Sequence, residues 1–125
     1  VGEELSIRES GTHVSHVIRQ VRAGLEGFTK PELKKIVIAY EPVWAIGTGK
    51  TATTAQAQEM HASIRQVLAQ QYGQAVASQV PILYGGSVKA ANAVELFTCP
   101  DVDGGLVGGA SLNATEFISI VSALS

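Results

Sequence analysis

The residues best placed to do chemistry in this chain are one carboxylate and three glycine-containing loops. Glu41 directly follows the apolar run 36–40 and precedes Pro42, which puts its carboxylate at the rim of a sheet instead of on a solvated helix. An arbitrary glutamate is a surface residue capping a loop. One at a strand end, with apolar Ile46 and Leu106 available to pack around it, suits a general base, because desolvation raises its basicity toward neutral pH. The loops 41–50, 85–87 and 108–111 each follow a short apolar run. Glycine lets the backbone approach a ligand and turn its N–H groups inward, and helix N-termini favour an anion. A single Gly-Gly pair is a tight turn, whereas three such loops after successive strands point to a phosphate site.

The elements that must position these residues can be read from periodicity. Segments 36–40, 81–84 and 104–107 are short, apolar and bounded by Gly or Pro, the pattern of buried strands. Helical spacing aligns Val14, Val17, Ile18, Val21 and Leu25 on one face and Met60, Ile64, Val67 and Leu68 on another. Further helices are predicted over 90–97 and 114–124. Thr53 with Gln56 has capping-box spacing, and Asn113 is the N-cap candidate for the last helix. This alternation is α/β and asks for parallel strands with right-handed crossovers. Val1-Gly2-Glu3-Glu4 reads as the end of a strand. Three complete strands cannot close a barrel, and so small an open sheet exposes its edges. Either a second piece completes it, or the chain folds poorly alone.

Composition narrows the function classes. A chain of 125 residues is about one domain, and 46% hydrophobic with 16% charged residues describes a folded core. The net charge of -2 leaves no basic excess for a phosphate backbone, so no nucleic-acid partner is expected. Apolar runs are too short to cross a bilayer. The single cysteine, Cys99, and the lack of a signal-peptide pattern make the cytoplasm the expected compartment. Cys99 reads as a small hydrophobe. His13 and His16 stand three apart on a helix but have no third ligand at usable spacing, so a solvated face is expected and no metal.

Three segments carry a resemblance: Ala39-Tyr40-Glu41-Pro42-Val43-Trp44-Ala45-Ile46-Gly47-Thr48-Gly49-Lys50, Leu83-Tyr84-Gly85-Gly86-Ser87-Val88 and Leu106-Val107-Gly108-Gly109-Ala110-Ser111-Leu112. With Val1-Gly2-Glu3 and Arg8-Glu9, in the family's order, the chain resembles the triosephosphate isomerase family over essentially its whole length. The resemblance implies the carboxyl-terminal half of one (β/α)8 TIM-barrel domain over residues 1–125, from the end of strand five through helix eight, with the amino-terminal half absent. The implied activity is interconversion of dihydroxyacetone phosphate and D-glyceraldehyde 3-phosphate through an enediolate, a step of glycolysis and gluconeogenesis that needs no cofactor.

By the same resemblance Glu41 is the catalytic base, and the amides of Gly47, Ser87, Gly108 and Gly109 hold the substrate phosphate, no Lys or Arg in these loops being placed to replace them. Pro42-Val43-Trp44 and Lys50-Thr51-Ala52 match the hinges of a lid that also contains Ala45, Thr48 and Gly49. Tyr84 matches a latch for the closed lid, Ile46 and Leu106 an apolar clamp on Glu41, and Arg65 with Asp103 an ion pair near the lid's base. Gly105 stands where a larger residue is common, and Thr54 where proline is frequent. The family's lysine and electrophilic histidine match nothing here, His61 included. The implied partners are a triose phosphate, an amino-terminal half-barrel and, once complete, a second copy in a homodimer. The chain alone is expected to be nearly inactive. The alternatives are a non-catalytic half-barrel that binds phosphate or self-associates, and a different phosphate-binding barrel enzyme, against which the run from Tyr40 to Trp44 argues.

Overall fold

A computed structural model describes residues 1–125. The apolar runs pair as a parallel sheet in the order β1 (Ile38–Tyr40), β2 (Ile82–Tyr84), β3 (Gly104–Gly105). Tyr40 stands beside Tyr84, and Tyr84 beside Gly105. Val1 adds one more rung at the far edge, donating to the Ala39 carbonyl at 2.9 Å and accepting from the Glu41 amide at 2.7 Å. The strands are shorter than the predicted 36–40, 81–84 and 104–107. Ile36 closes a turn on the Leu33 carbonyl, Pro81 has no N–H to give the ladder, and beyond Leu106 the backbone leaves β2.

Side chains alternate along the strands, so Ile38, Tyr40, Ile82 and Tyr84 are buried while Ala39 and Leu83 are half-buried on the other face. The buried face packs on α2 (His13–Gly24), α4 (Thr54–Tyr72) and α6 (Ala90–Phe97), which contribute Val17, Val21, Met60, Ile64, Leu68, Ala93 and Leu96. The predicted faces of α2 and α4 are therefore the packed ones. Shorter helices fill the connections: α1 (Leu5–Glu9), α3 (Lys30–Leu33) and α5 (Gln74–Ala77). The last helix, α7 (Ala114–Ser122), stops short of the predicted 124 and buries only Ile120, leaving Phe117, Ile118 and Val121 exposed. Both predicted caps form. Thr53 Oγ1 accepts from the Gln56 amide at 3.1 Å, and Asn113 Oδ1 accepts from the Glu116 amide at 2.9 Å. Gly105 leaves its small-residue space to the Phe97 ring, 3.1 Å from where a Cβ would stand.

Two expectations change. Arg65 does pair with Asp103, at 2.6 Å, but the same guanidinium also holds Asp101 at 2.8 Å and the Ala77 and Val80 carbonyls. These groups precede β2 and β3, so the pair lies at the strand starts and not at the lid's base. Arg65 sits about three turns along α4, and a rise of about 1.5 Å per residue carries it away from the lid. His13 is not solvated: its side chain is only 15% exposed and its Nε2 lies 3.5 Å from Glu59. No group of three or more His, Cys, Asp or Glu side chains converges to hold a metal. Cys99 is half-buried, and burial pushes its thiol up. No helix is long and apolar enough to cross a membrane.

His61, fully buried on α4, stands edge-on to Tyr40 with centroids 5.8 Å apart, and its Nδ1 lies 3.1 Å from the Asp101 carbonyl. Nε2 has no partner. Burial disfavours the charged ring and lowers its pKa from 6.5 to about 4. Between these values the unfolded chain binds more protons than the folded one, so stability falls as pH drops from about 6.5 and levels off below about 4. The expected loss is about 3 kcal/mol at about 1.4 kcal/mol per pKa unit. Urea unfolding across this range checks it. His61→Asn, whose amide N–H can still serve Asp101, should flatten that slope, and an unchanged slope would refute the assignment.

Candidate functional site

All three glycine loops leave the carboxyl edge of the sheet. Together they line a cleft of about 480 Å³. The first loop supplies Glu41, Ala45, Ile46 and Gly47, the second Gly85 to Lys89, and the third Leu106 to Ala110. Of the residues singled out in the sequence, Glu41, Ala45, Ile46, Gly47, Ser87, Leu106, Gly108 and Gly109 thus come together. Pro42, Val43, Trp44, Thr48, Gly49, Lys50 and Tyr84 lie outside the lining.

Glu41 is fixed by close backbone approach on two sides. A Cβ on Gly85 would stand 2.6 Å from Glu41 Cγ, and one on Gly2 would collide with the Glu41 carbonyl oxygen. Gly85 is therefore a packing surface for the carboxylate's stem. The expected apolar enclosure of Glu41 is absent in this conformation. Ile46 and Leu106 are 46% and 47% exposed, since Ile46 belongs to a lid segment that is exposed through Lys50.

The backbone N–H groups of Gly47, Ser87, Gly108 and Gly109 donate to no acceptor within the chain. Their loops are nevertheless anchored. Asn92 Nδ2 donates to the Ser87 carbonyl at 2.9 Å, and Ser111 Oγ to the Gly108 carbonyl at 2.6 Å. Anchoring carbonyls while leaving amides unpaired gives fixed donors around one cleft, an arrangement that suits an anion. Gly47 and Gly49 have φ of +67° and +78°, the left-handed region that favours glycine, and so let the lid tip turn. Outside the loops as read from the sequence, one basic residue also lines the cleft: Lys89, the N-cap of α6, two residues past Ser87.

The lid begins in a 3₁₀ turn, Val43–Ala45, whose Trp44 is buried. Trp44 Nε1 donates to Glu3 Oε1 at 3.0 Å, Tyr40 Oη donates to the same oxygen at 2.8 Å, and Arg8 Nε at 3.0 Å. The Arg8 guanidinium also lies 5.2 Å from the centroid of the Trp44 ring. Burial, reinforced by the Glu3 carboxylate, raises the Tyr40 pKa and keeps its hydroxyl a donor. At the other end of the lid, Thr48 Oγ1 donates to the Trp44 carbonyl at 2.6 Å. Tyr84 is buried, with its hydroxyl over Gly86, where a Cβ would collide with it. Burial raises its pKa, and a hydrogen bond with the Ala52 backbone works the other way. Glu3 went unread as a site residue, although it lies in the Val1-Gly2-Glu3 segment that carries part of the resemblance.

The family model described as triosephosphate isomerase matches residues 1–124. The chain is 60% identical over 121 residues to a triosephosphate isomerase of Chloroherpeton thalassium, covering 97% of this chain and 48% of that protein. It is 58% identical over 123 residues to one of Chlorobium chlorochromatii, covering 98% and 48%. A Corynebacterium diphtheriae relative is 57% identical over 122 residues, covering 98% and 47%. The chain spans about half the length of the curated relatives it matches.

The hinge chemistry is testable through Trp44, the one tryptophan of the chain. Glu3→Gln leaves the Arg8 charge without its buried partner, a change that costs about 3–5 kcal/mol for an ion pair out of water. Denaturant unfolding should register that loss, with a red-shifted Trp44 emission in the native baseline. A variant with unaltered midpoint and emission would show that Glu3 does not hold the hinge.

Proposed function

Because the chain belongs to the triosephosphate isomerase family, we propose that its carboxyl-edge cleft performs the proton transfer that interconverts dihydroxyacetone phosphate and D-glyceraldehyde 3-phosphate. The observation that carries this reading is the single cleft shared by the Glu41 carboxylate and the four unpaired amides of Gly47, Ser87, Gly108 and Gly109. The amides hold the phosphate, and the three-carbon body then reaches Glu41.

Glu41 takes a proton from C1 of the ketose. The electron pair of that C–H bond becomes the C1–C2 double bond, and the carbonyl π electrons move onto O2, giving an enediolate. Protons are rearranged between O1 and O2, and Glu41 returns its proton to C2, forming the aldose. Fixed dipoles and donors stabilise the charge that develops on oxygen. The family resemblance assigns the donors at O1 and O2 to a histidine and a lysine of the amino-terminal half, so this chain acts within a completed barrel and turns over only in traces without it. The completed protein is a cytoplasmic homodimer in this proposal. Closure of the lid brings Ile46 over Glu41 to complete the clamp with Leu106 of the third loop, expels water and strengthens the base.

A second reading, a non-catalytic module that associates through its open side, draws on the exposed Leu112, Ile118, Val121 and Leu124. A base with a hinged lid beside it has no use in such a module.

Glu41→Asp in the completed barrel separates the readings. The shorter side chain withdraws the carboxylate, and a displacement of about 1 Å costs on the order of 10²-fold in rate. The expected result is that loss in kcat with KM little changed, and a larger kinetic isotope effect with substrate deuterated at the transferred carbon. Nearly full turnover with only a raised KM would make Glu41 a binding residue.

A further inference from the structure

We propose that Lys89 is a second recognition element for the bound anion, supplying the one full positive charge that this chain itself places at a cleft it otherwise builds from amide dipoles. The proposal rests on the reading of this cleft as a phosphate site. Among the residues that line the cleft, Glu41 is the only acid and Lys89 the only base. A phosphate dianion held there shares a volume of about 480 Å³ with the Glu41 carboxylate. Amide dipoles lower the energy of each anion but leave their mutual repulsion uncancelled, and that repulsion is strong once water is displaced. A cation at the same cleft offsets it.

Lys89 is free to play this part. It is exposed and forms no ion pair. The nearby carboxylate of Glu116 is engaged elsewhere, its Oε1 accepting from the Ala90 amide at 2.7 Å. The Lys89 amide is itself bonded to Asn92 Oδ1 at 2.8 Å, which fixes the backbone from which the side chain extends. The Lys89 and Ala90 amides at the start of α6 are thus committed to side chains of the protein, and the ammonium is the full charge this helix start can offer a ligand. An ammonium on a flexible four-carbon stem follows a mobile anion as a point charge. The consequence is a binding step that weakens with salt, which neutral amides alone would not produce to the same degree.

Titrating the 125-residue chain with inorganic phosphate, while following the amide resonances of Gly47, Ser87, Gly108 and Gly109, tests this at two ionic strengths. In Lys89→Met the dissociation constant should rise about three- to tenfold, as for loss of one charge-assisted contact at a partly exposed site. Its salt dependence should flatten. Lys89→Arg should stay within about twofold of the parent. Lys35→Met, with the same change in net charge away from the cleft, should bind as the parent does. Unchanged affinity in Lys89→Met, or an equal loss in Lys35→Met, overturns the role of Lys89 while leaving the phosphate site standing. A parent chain whose four amides do not respond to phosphate overturns the site itself, and the role of Lys89 with it.

Discussion

One carboxylate oxygen, Glu3 Oε1, joins three parts of the molecule that otherwise have little reason to keep a fixed relation. It accepts from Tyr40 on β1, from Trp44 in the lid's first hinge and from Arg8 on α1. A buried carboxylate is tolerable only when charge and hydrogen bonds compensate its lost hydration, and here all three donors meet one oxygen. Tyr40 immediately precedes Glu41, so the placement of the Glu41 carboxylate is inherited from this junction. The same short segment contributes the Val1 rung on β1 and the Gly2 backbone beneath the Glu41 carbonyl.

From that foundation the carboxyl edge follows. Parallel strands deliver their loops to one end, and the register that sets Tyr40 beside Tyr84 and Tyr84 beside Gly105 aligns the three loops over a common cleft. Gly85 and Gly86 then act by what they lack: the stem of Glu41 and the hydroxyl of Tyr84 occupy the space of their absent side chains. His61 fills the layer beneath, between the two tyrosines, as a neutral ring. Glu41, the turn at Trp44 and the buried aromatic layer are one packed unit.

Much of this was legible in the sequence because its causes are local. Strand runs, capping pairs at Thr53 and Asn113, and glycines after apolar segments announce themselves within a few residues. Strand lengths were overread because a strand ends where its partner's ladder ends, which no single segment encodes. The four-residue helices α3 and α5 were missed because one turn has no periodicity to detect. Glu3 has no readable role and His13 reads as solvated for a related reason: their meaning comes from Tyr40 and Trp44, and from Glu59, which lie far along the chain. Lys89 is hard to read from the sequence because the glycine signal ends at Ser87, two residues before it, while the cleft lining runs on to Lys89. The exposure of Ile46 and Leu106 comes from how the loops after β1 and β3 sit on the rest of the fold, a tertiary property that residue type does not fix.

The central claim is that this chain carries the base and the anion-binding amides of an isomerase whose remaining donors come from another half-barrel. Reconstitution tests it most directly: the chain is mixed with the amino-terminal half of a curated relative, and dihydroxyacetone phosphate is followed by NMR in D₂O. The account expects only traces of conversion from the chain alone, and conversion by the one-to-one complex with solvent deuterium entering at the carbon that exchanges its proton. A stable one-to-one complex without turnover would contradict it, as would turnover by the isolated chain near a common enzyme rate of about 10 per second.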